Sequence, residues 1–175
     1  YAEAFLRAVV AQGLVTAEKL RQSVEALDSA GQQHEGARLV ARAWVDSAFK
    51  ERLLKDGNTA ATELGIDAVN ANAPTVLTAM ANSPKVHHLV VCTLCSCYPT
   101  KLLGLSPAWY KARSYRERAV REPRKVLKEF GSPIADDIEV RVVDSTADCR
   151  YIVVPMRPQG SDHLSEEELI KLVSR

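Results

Sequence analysis

Three cysteines, Cys92, Cys95 and Cys97, crowd into the stretch VVCTLCSCYPT, with Ser96 between the last two. The C-x-x-C interval lets two sulfurs converge on one ion, as in zinc turns. The C-x-C interval is tighter. Folded round a metal, it brings the intervening backbone within bonding reach. The Cys97 sulfur and its own amide nitrogen can close one chelate ring, the Ser96 and Cys97 nitrogens a second, and the Cys95 sulfur with the Ser96 nitrogen a third. Cys92 can then serve as an axial ligand, leaving one position open. Binding a peptide nitrogen means removing its proton. That suits a low-spin trivalent ion such as Co(III) or Fe(III), which prefers strong-field sulfur and nitrogen donors. An open position on such an ion makes a Lewis acid.

Other uses of the loop remain open on spacing alone. A zinc knuckle needs a fourth ligand, for which His87, His88 and Cys149 are candidates, and zinc leads by abundance. An iron–sulfur cluster wants four cysteines at other spacings. A redox dithiol prefers C-x-x-C near a helix start, without a third cysteine. A disulfide framework fits poorly. A chain of 175 residues can bury a core without staples, and nothing in it suggests secretion.

The elements that must position the loop follow from periodicity and punctuation. TAEKLRQSVEALDSAG reads as a helix capped by Thr16 and stopped by Gly31. QQHEGARLVARAWVDSAFKERLLKDG reads as one longer helix, with Gly57 as its terminating residue. TAATELG is a short helix. TVLTAMA and KVHHLVV read as strands, the second running straight into the cysteines. AWYKARSYRERAVRE and PRKVLKEFG are helical, with Pro123 at the start of the latter. DIEVRVVDS and CRYIVVPM read as strands paired across a turn near Ala147, and SEEELIKLVSR as a capped helix. The order points to an α/β (α+β) fold of layered helices and sheet. It divides into a helical N-terminal arm over residues 1–65, placed to pack on a partner subunit, and a metal-binding catalytic domain over residues 66–175.

The bulk numbers exclude some classes. A formal net charge of +1 with interspersed signs offers no field for nucleic acid. No apolar run is long enough to span a bilayer, and the N-terminal stretch lacks the basic-then-apolar order of a secretory signal. A cytoplasmic location is expected.

The stretch VCTLCSCYP resembles the metal-binding signature of the nitrile hydratase alpha subunit. Thr93 matches the cobalt-type form, and the likeness continues from about Ala41 through VHHLVVCTLCSC, LGLSPAWYKARSYRERAVREPRKVLKEFG, VRVVDSTADCRYIVVPMRP and SEEELIKLV. The resemblance implies a layered alpha-subunit fold and one Co(III), with iron the less favoured ion. It implies metal binding by Cys92, Cys95, Ser96 and Cys97, with Cys95 oxidised to a sulfinic acid and Cys97 to a sulfenic acid. Cys97, Ser96 and Cys95 are the implied catalytic groups. The implied partners are a beta subunit of one or two chains, which supplies cations for the oxidised sulfurs, and a metal-loading activator protein. The implied reaction adds water across the triple bond of a small-molecule nitrile. The attacking oxygen is either a hydroxide held by the metal or the Cys97 sulfenate.

The resemblance has two departures. Relatives of the cobalt type often carry tryptophan and proline where this chain has Thr100 and Lys101. A substrate pocket bounded by Thr100 and Tyr98 is therefore expected to be roomier and more polar, suited to a bulky polar nitrile such as a nucleoside. The related thiocyanate hydrolase gamma subunit, which shares the loop, has an arginine at the position of Thr100. That makes it the second reading, ahead of a zinc-stabilised, non-catalytic interaction module. Upstream, relatives often have a glutamine behind the ligands at the position of Ala73, with Asn72 beside it here. His87 and His88, adjacent on a strand, must face opposite sides, so at most one can face the metal. Structural roles are expected for both. Cys149 is expected to be a small buried hydrophobe, and the run Arg113–Arg124 a solvated or subunit-contacting face paired with Glu117 and Glu122.

Overall fold

The computed structural model describes residues 1–69, 75–95 and 97–173. Five helices precede the first strand: α1 (Ala2–Ala11), α2 (Ala17–Ser29), α3 (Glu35–Val45), α4 (Ser47–Lys55) and α5 (Gly57–Glu63). Strands β1 (Val76–Ala81) and β2 (Val86–Val91) follow, and the cysteine loop comes directly after β2. Then come α6 (Thr100–Leu103), α7 (Ala108–Lys111), α8 (Arg113–Arg121), α9 (Pro123–Glu129), β3 (Glu139–Asp144), β4 (Cys149–Val154) and α10 (Glu166–Leu172). Among the described residues no helix is long and apolar enough to cross a membrane.

The long helix expected over 32–57 is broken inside by Asp46, and its second half ends at Lys55 with Asp56 as the capping residue. Asp46 leaves helical geometry, and its carboxylate accepts from the Phe49 N–H at 2.8 Å. Asp56 does the same for Thr59 at 3.0 Å. A short acidic side chain satisfies a free N–H at a helix start better than it continues a helix. Gly57 therefore both follows the end of α4, as expected, and begins α5. It is there because of close approach: a Cβ would strike the Leu77 carbonyl oxygen of β1. The piece expected over 108–122 also divides, at Ala112, into α7 and α8.

The strands correct a second expectation. β3 and β4 do not form a hairpin. β1 pairs with β4 in parallel, from Val76 opposite Cys149 to Ala81 opposite Val154. β2 pairs with β3 in parallel, from Val86 opposite Glu139 to Val91 opposite Asp144. The connection between β3 and β4 is occupied with itself, because the Thr146 hydroxyl accepts from the Asp148 and Cys149 N–H groups. Both ladders also extend past their strand ends, through Ser145 N–H to the Val91 carbonyl and Val76 N–H to the Asp148 carbonyl. Alternation marks a half-buried strand but does not name its neighbour; parallel pairing needs a crossover, and α6–α9 lie in the one between β2 and β3.

Two buried clusters flank the loop. The first joins Leu39, Phe49 and Leu53 of α3–α4 to Leu77 of β1, Ile152 and Val154 of β4, and Leu102 of α6. The second joins Val91 of β2 to Tyr110, Tyr115, Ala119 and Val126 of α7–α9. Thus α3, α4 and α5, placed in the 1–65 arm by sequence, are built into the first cluster, whereas α1 and α2 contribute no buried residue.

Candidate metal centre

The loop starts at a wholly buried residue. Cys92 has 0% exposure and directly follows Val91, also at 0%. From there the chain turns outward, so Cys95 is exposed and Cys97 half-buried. The three sulfurs converge. Cys92 Sγ lies 3.2 Å from Cys95 Sγ, and Cys95 Sγ lies 3.0 Å from Cys97 Sγ. All three fall within 4.8 Å of one another. The Cys95 N–H points at Cys92 Sγ at 3.3 Å, which winds the first turn round the sulfur.

These spacings test the metal. With metal–sulfur bonds of about 2.3 Å, sulfurs at right angles are about 3.3 Å apart and tetrahedral ones about 3.8 Å. The two short separations, Cys92–Cys95 and Cys95–Cys97, are nearer the right-angle value than the tetrahedral one. No fourth zinc ligand joins them: among the described residues the cluster holds only Cys92, Cys95 and Cys97. The other candidates are engaged elsewhere. His87 and His88 both turn their Nδ1 atoms to the Asn82 amide, at 3.3 and 3.1 Å. Burial holds both imidazoles below the ordinary histidine value, helped by His88 for His87 and by Arg141 for His88. Cys149 is half-buried rather than fully buried, and its Sγ meets the Thr78 hydroxyl at 3.3 Å.

Four groups that sequence reasoning missed hold the loop. The Tyr110 hydroxyl donates to the Cys97 carbonyl at 2.9 Å, and the Tyr115 hydroxyl to the Val90 carbonyl at 2.8 Å. The Asp144 carboxylate accepts from the Thr93 N–H at 2.9 Å and from the Thr93 hydroxyl. Arg116 donates to the Thr93 carbonyl at 3.0 Å. Asp144 had a findable signal, since in the parallel register it stands opposite Val91, one residue before the first cysteine. Tyr110 and Tyr115 also pack on each other, with ring centroids 5.8 Å apart. Arg116 departs from its neighbours in the arginine run, which pair as expected: Arg118 with Glu122 and Glu129, and Arg121 with Glu117.

The Cys97 thiol is pushed up to about 12, first by burial and then by the Cys95 and Cys92 sulfurs, while the charge of Arg150 works in the opposite direction. Metal uptake therefore has protons to displace.

Tyr98 and Thr100 lie on the outgoing side of the loop. Tyr98 packs edge-on to Tyr110, centroids 5.0 Å apart. Thr100 opens α6, and both its N–H and hydroxyl donate to the Tyr98 carbonyl. Both residues line a cavity of about 510 Å³, with Lys101, Leu102 and Arg150. Lys101 is clasped by Asp67 at 2.6 Å and the Val69 carbonyl at 2.5 Å. Ser96, Asn72 and Ala73, singled out from sequence, lie outside the described residues.

The sequence profile of the nitrile hydratase alpha chain matches residues 1–175. The chain belongs to that family. A low-molecular weight cobalt-containing nitrile hydratase alpha subunit from Rhodococcus rhodochrous is 45% identical over 167 residues, spanning 95% of this chain and 79% of its own. The cobalt-containing alpha subunit from Pseudonocardia thermophila is 45% identical over 168 residues, spanning 95% and 81%. The thiocyanate hydrolase gamma subunit of Thiobacillus thioparus is 45% identical over 148 residues, spanning 79% and 60%. Among solved structures, a recombinant thiocyanate hydrolase comprising partially modified cobalt centres superposes with a TM-score of 0.93 at 39% identity, covering 99% of this chain and 83% of its own. An Fe-type nitrile hydratase from Comamonas testosteroni Ni1 superposes at 0.90 with 39% identity, covering 99% and 83%. The expected alpha-subunit fold is thus the observed one.

Proposed function

We infer that this chain is the metal-holding alpha subunit of a cobalt-type nitrile hydratase, which adds water to a nitrile to give the amide. The observation that carries the reading is the convergence of the Cys92, Cys95 and Cys97 sulfurs, within 4.8 Å of one another, in a chain so similar to cobalt-containing alpha subunits. Those sulfurs, with the Ser96 and Cys97 amide nitrogens, would hold the ion. Bound there, a trivalent cobalt supplies Lewis acidity toward the nitrile.

The chain's own residues do the rest. Cys92, buried at the end of β2, fixes the inner ligand. Tyr110 and the Asp144–Thr93 pair set the path of the loop, so that the outer ligands face the exposed side. Cys95 and Cys97, as sulfinic and sulfenic acids, lower sulfur donation and place oxygens beside the reacting carbon. Ser96 and the Cys97 oxygen are the groups assigned to orient water and move its proton. Tyr98 and Thr100 border the space into which the nitrile substituent extends.

The partner is a nitrile hydratase beta subunit, of one or two chains, with a metal-loading protein needed to fill the site. Helix α1 and the outer face of α2 form the arm that packs on it: they bury nothing here and expose Phe5, Leu6 and Val24, with Leu14 exposed between them. We place the complex in the cytoplasm, where bunched thiols stay reduced until metal is loaded. The test is turnover of aliphatic, aromatic and nucleoside nitriles by the cobalt-loaded complex. Confirmed metal with no amide from any of them rejects the reading. The likeness to thiocyanate hydrolase supports a second reading, decided by giving the same complex thiocyanate. It ranks lower because Thr100 brings no cation and the neighbouring Lys101 is held by Asp67.

A further inference from the structure

The cavity beside Tyr98 and Thr100 has a second wall that the loop does not supply. It comes from α2 and the residue that caps it: Ser23, Ala26, Leu27 and Ala30 line it. These positions recur at i, i+3, i+4 and i+7, so they form one face of the helix. Three of the four are small, which leaves the space open. The same arrangement explains why an amphipathic helix contributes no buried residue and leaves Leu27 at 51% exposure.

The position of α2 is fixed at its C-terminal end. Gly31 follows it with φ +73, and a Cβ there would strike the backbone nitrogen of Gly104. Gly104 closes α6, the helix that Thr100 opens. The backbone that carries Thr100 and the backbone that ends α2 therefore abut, and only glycine fits at the contact. The floor comes from Leu77 and Arg150, opposite each other in the β1–β4 ladder. At about 510 Å³ the space is in the range of small-molecule sites.

We propose that α2 is the outer wall of the substrate cavity, and that Ala26 and Leu27 set how large a nitrile substituent enters. The lining suits a substituent with an apolar body, against Ala26, Leu27 and Leu102, and a hydrogen-bonding group facing Ser23, Thr100 or Arg150. This rests on the hydratase reading above and adds a specificity wall to it.

The test uses the cobalt-loaded complex with its beta subunit. Ala26→Phe fills the cavity from an exposed helix face, and Leu27→Ala enlarges it. Expected is a fall in kcat/KM of about tenfold or more for benzonitrile relative to acetonitrile in Ala26→Phe, carried by KM. A shift of the opposite sign is expected in Leu27→Ala. Cobalt content should stay unchanged in both. Equal effects on the two nitriles, or none, overturn the proposal. A second readout needs no turnover: saturation-transfer NMR of benzonitrile on the metal-free complex. Binding to wild type that is lost in Ala26→Phe supports the wall, and no binding to wild type overturns it. Binding without hydration of any nitrile by the loaded enzyme counts against the hydratase reading and leaves the wall standing.

Discussion

Replacing Tyr110 with phenylalanine removes the hydroxyl that bonds to the Cys97 carbonyl and leaves the ring in place. The residue is 3% exposed, and its ring packs on Tyr98, Trp109 and Tyr115 at 5.0, 6.0 and 5.8 Å. Phenylalanine retains that packing, so no cavity forms. What is lost is the 2.9 Å bond to the carbonyl of Cys97, the third cysteine of the site. A net bond of this kind is worth about 0.5–1.5 kcal/mol, rising to about 3 if the carbonyl is left dry. In a chain of this size each kcal/mol moves the melting temperature by about 2–4 °C. The informative effect is on the metal, because groups that orient ligands typically change affinity by about 10–100-fold. Tyr115→Phe is the matched control: its hydroxyl bonds to Val90, upstream of the first cysteine. Cobalt retention under chelator challenge should fall at least about tenfold further in Tyr110→Phe than in Tyr115→Phe, at similar melting temperatures. Equal retention in the two variants would refute the claim that Tyr110 positions the ligand loop rather than merely supporting the core.

Other outcomes follow from the same geometry. Asp46→Ala removes the cap that starts α4 and should cost about 0.5–2 kcal/mol in urea unfolding. Gly57→Ala drives a methyl into the Leu77 carbonyl and should cost about 1–3 kcal/mol or more; a neutral result would mean β1 and α5 are farther apart than described. Cys149→Ala should leave cobalt content and turnover unchanged, since its sulfur meets Thr78 and not the cluster. Burial pushes Tyr115 up to about 12. Because its folded value is raised, its contribution to stability is complete below the ordinary tyrosine range near 10 and is lost as pH rises from there to about 12. Tyr115→Phe should flatten that alkaline limb in thermal melts.

The sequence made the strands, most of the helices and the three cysteines legible, because each has a local signature. What escaped it depends on neighbours distant in the chain. Asp46 and Asp56 look like ordinary polar positions in a helical pattern until their capping of Phe49 and Thr59 is seen. The parallel pairing of β2 with β3 was hidden because β3 and β4 follow one another closely, as a hairpin would. Losing that pairing meant losing Asp144, whose place opposite Val91 brings its carboxylate to Thr93. Tyr110, Tyr115 and Arg116 carried no such signal, because nothing local says that a hydroxyl or guanidinium reaches the backbone of the loop or of the strand before it. His87 and His88 have the structural roles expected of them, since Asn82 holds both.

The most direct test of the central claim is the metal content and intact mass of the alpha chain taken from its complex with the beta subunit. The account predicts one cobalt per chain and a mass raised by the oxygens of one sulfinic and one sulfenic group, mapped to Cys95 and Cys97. One zinc with three unmodified cysteines in active material would contradict it.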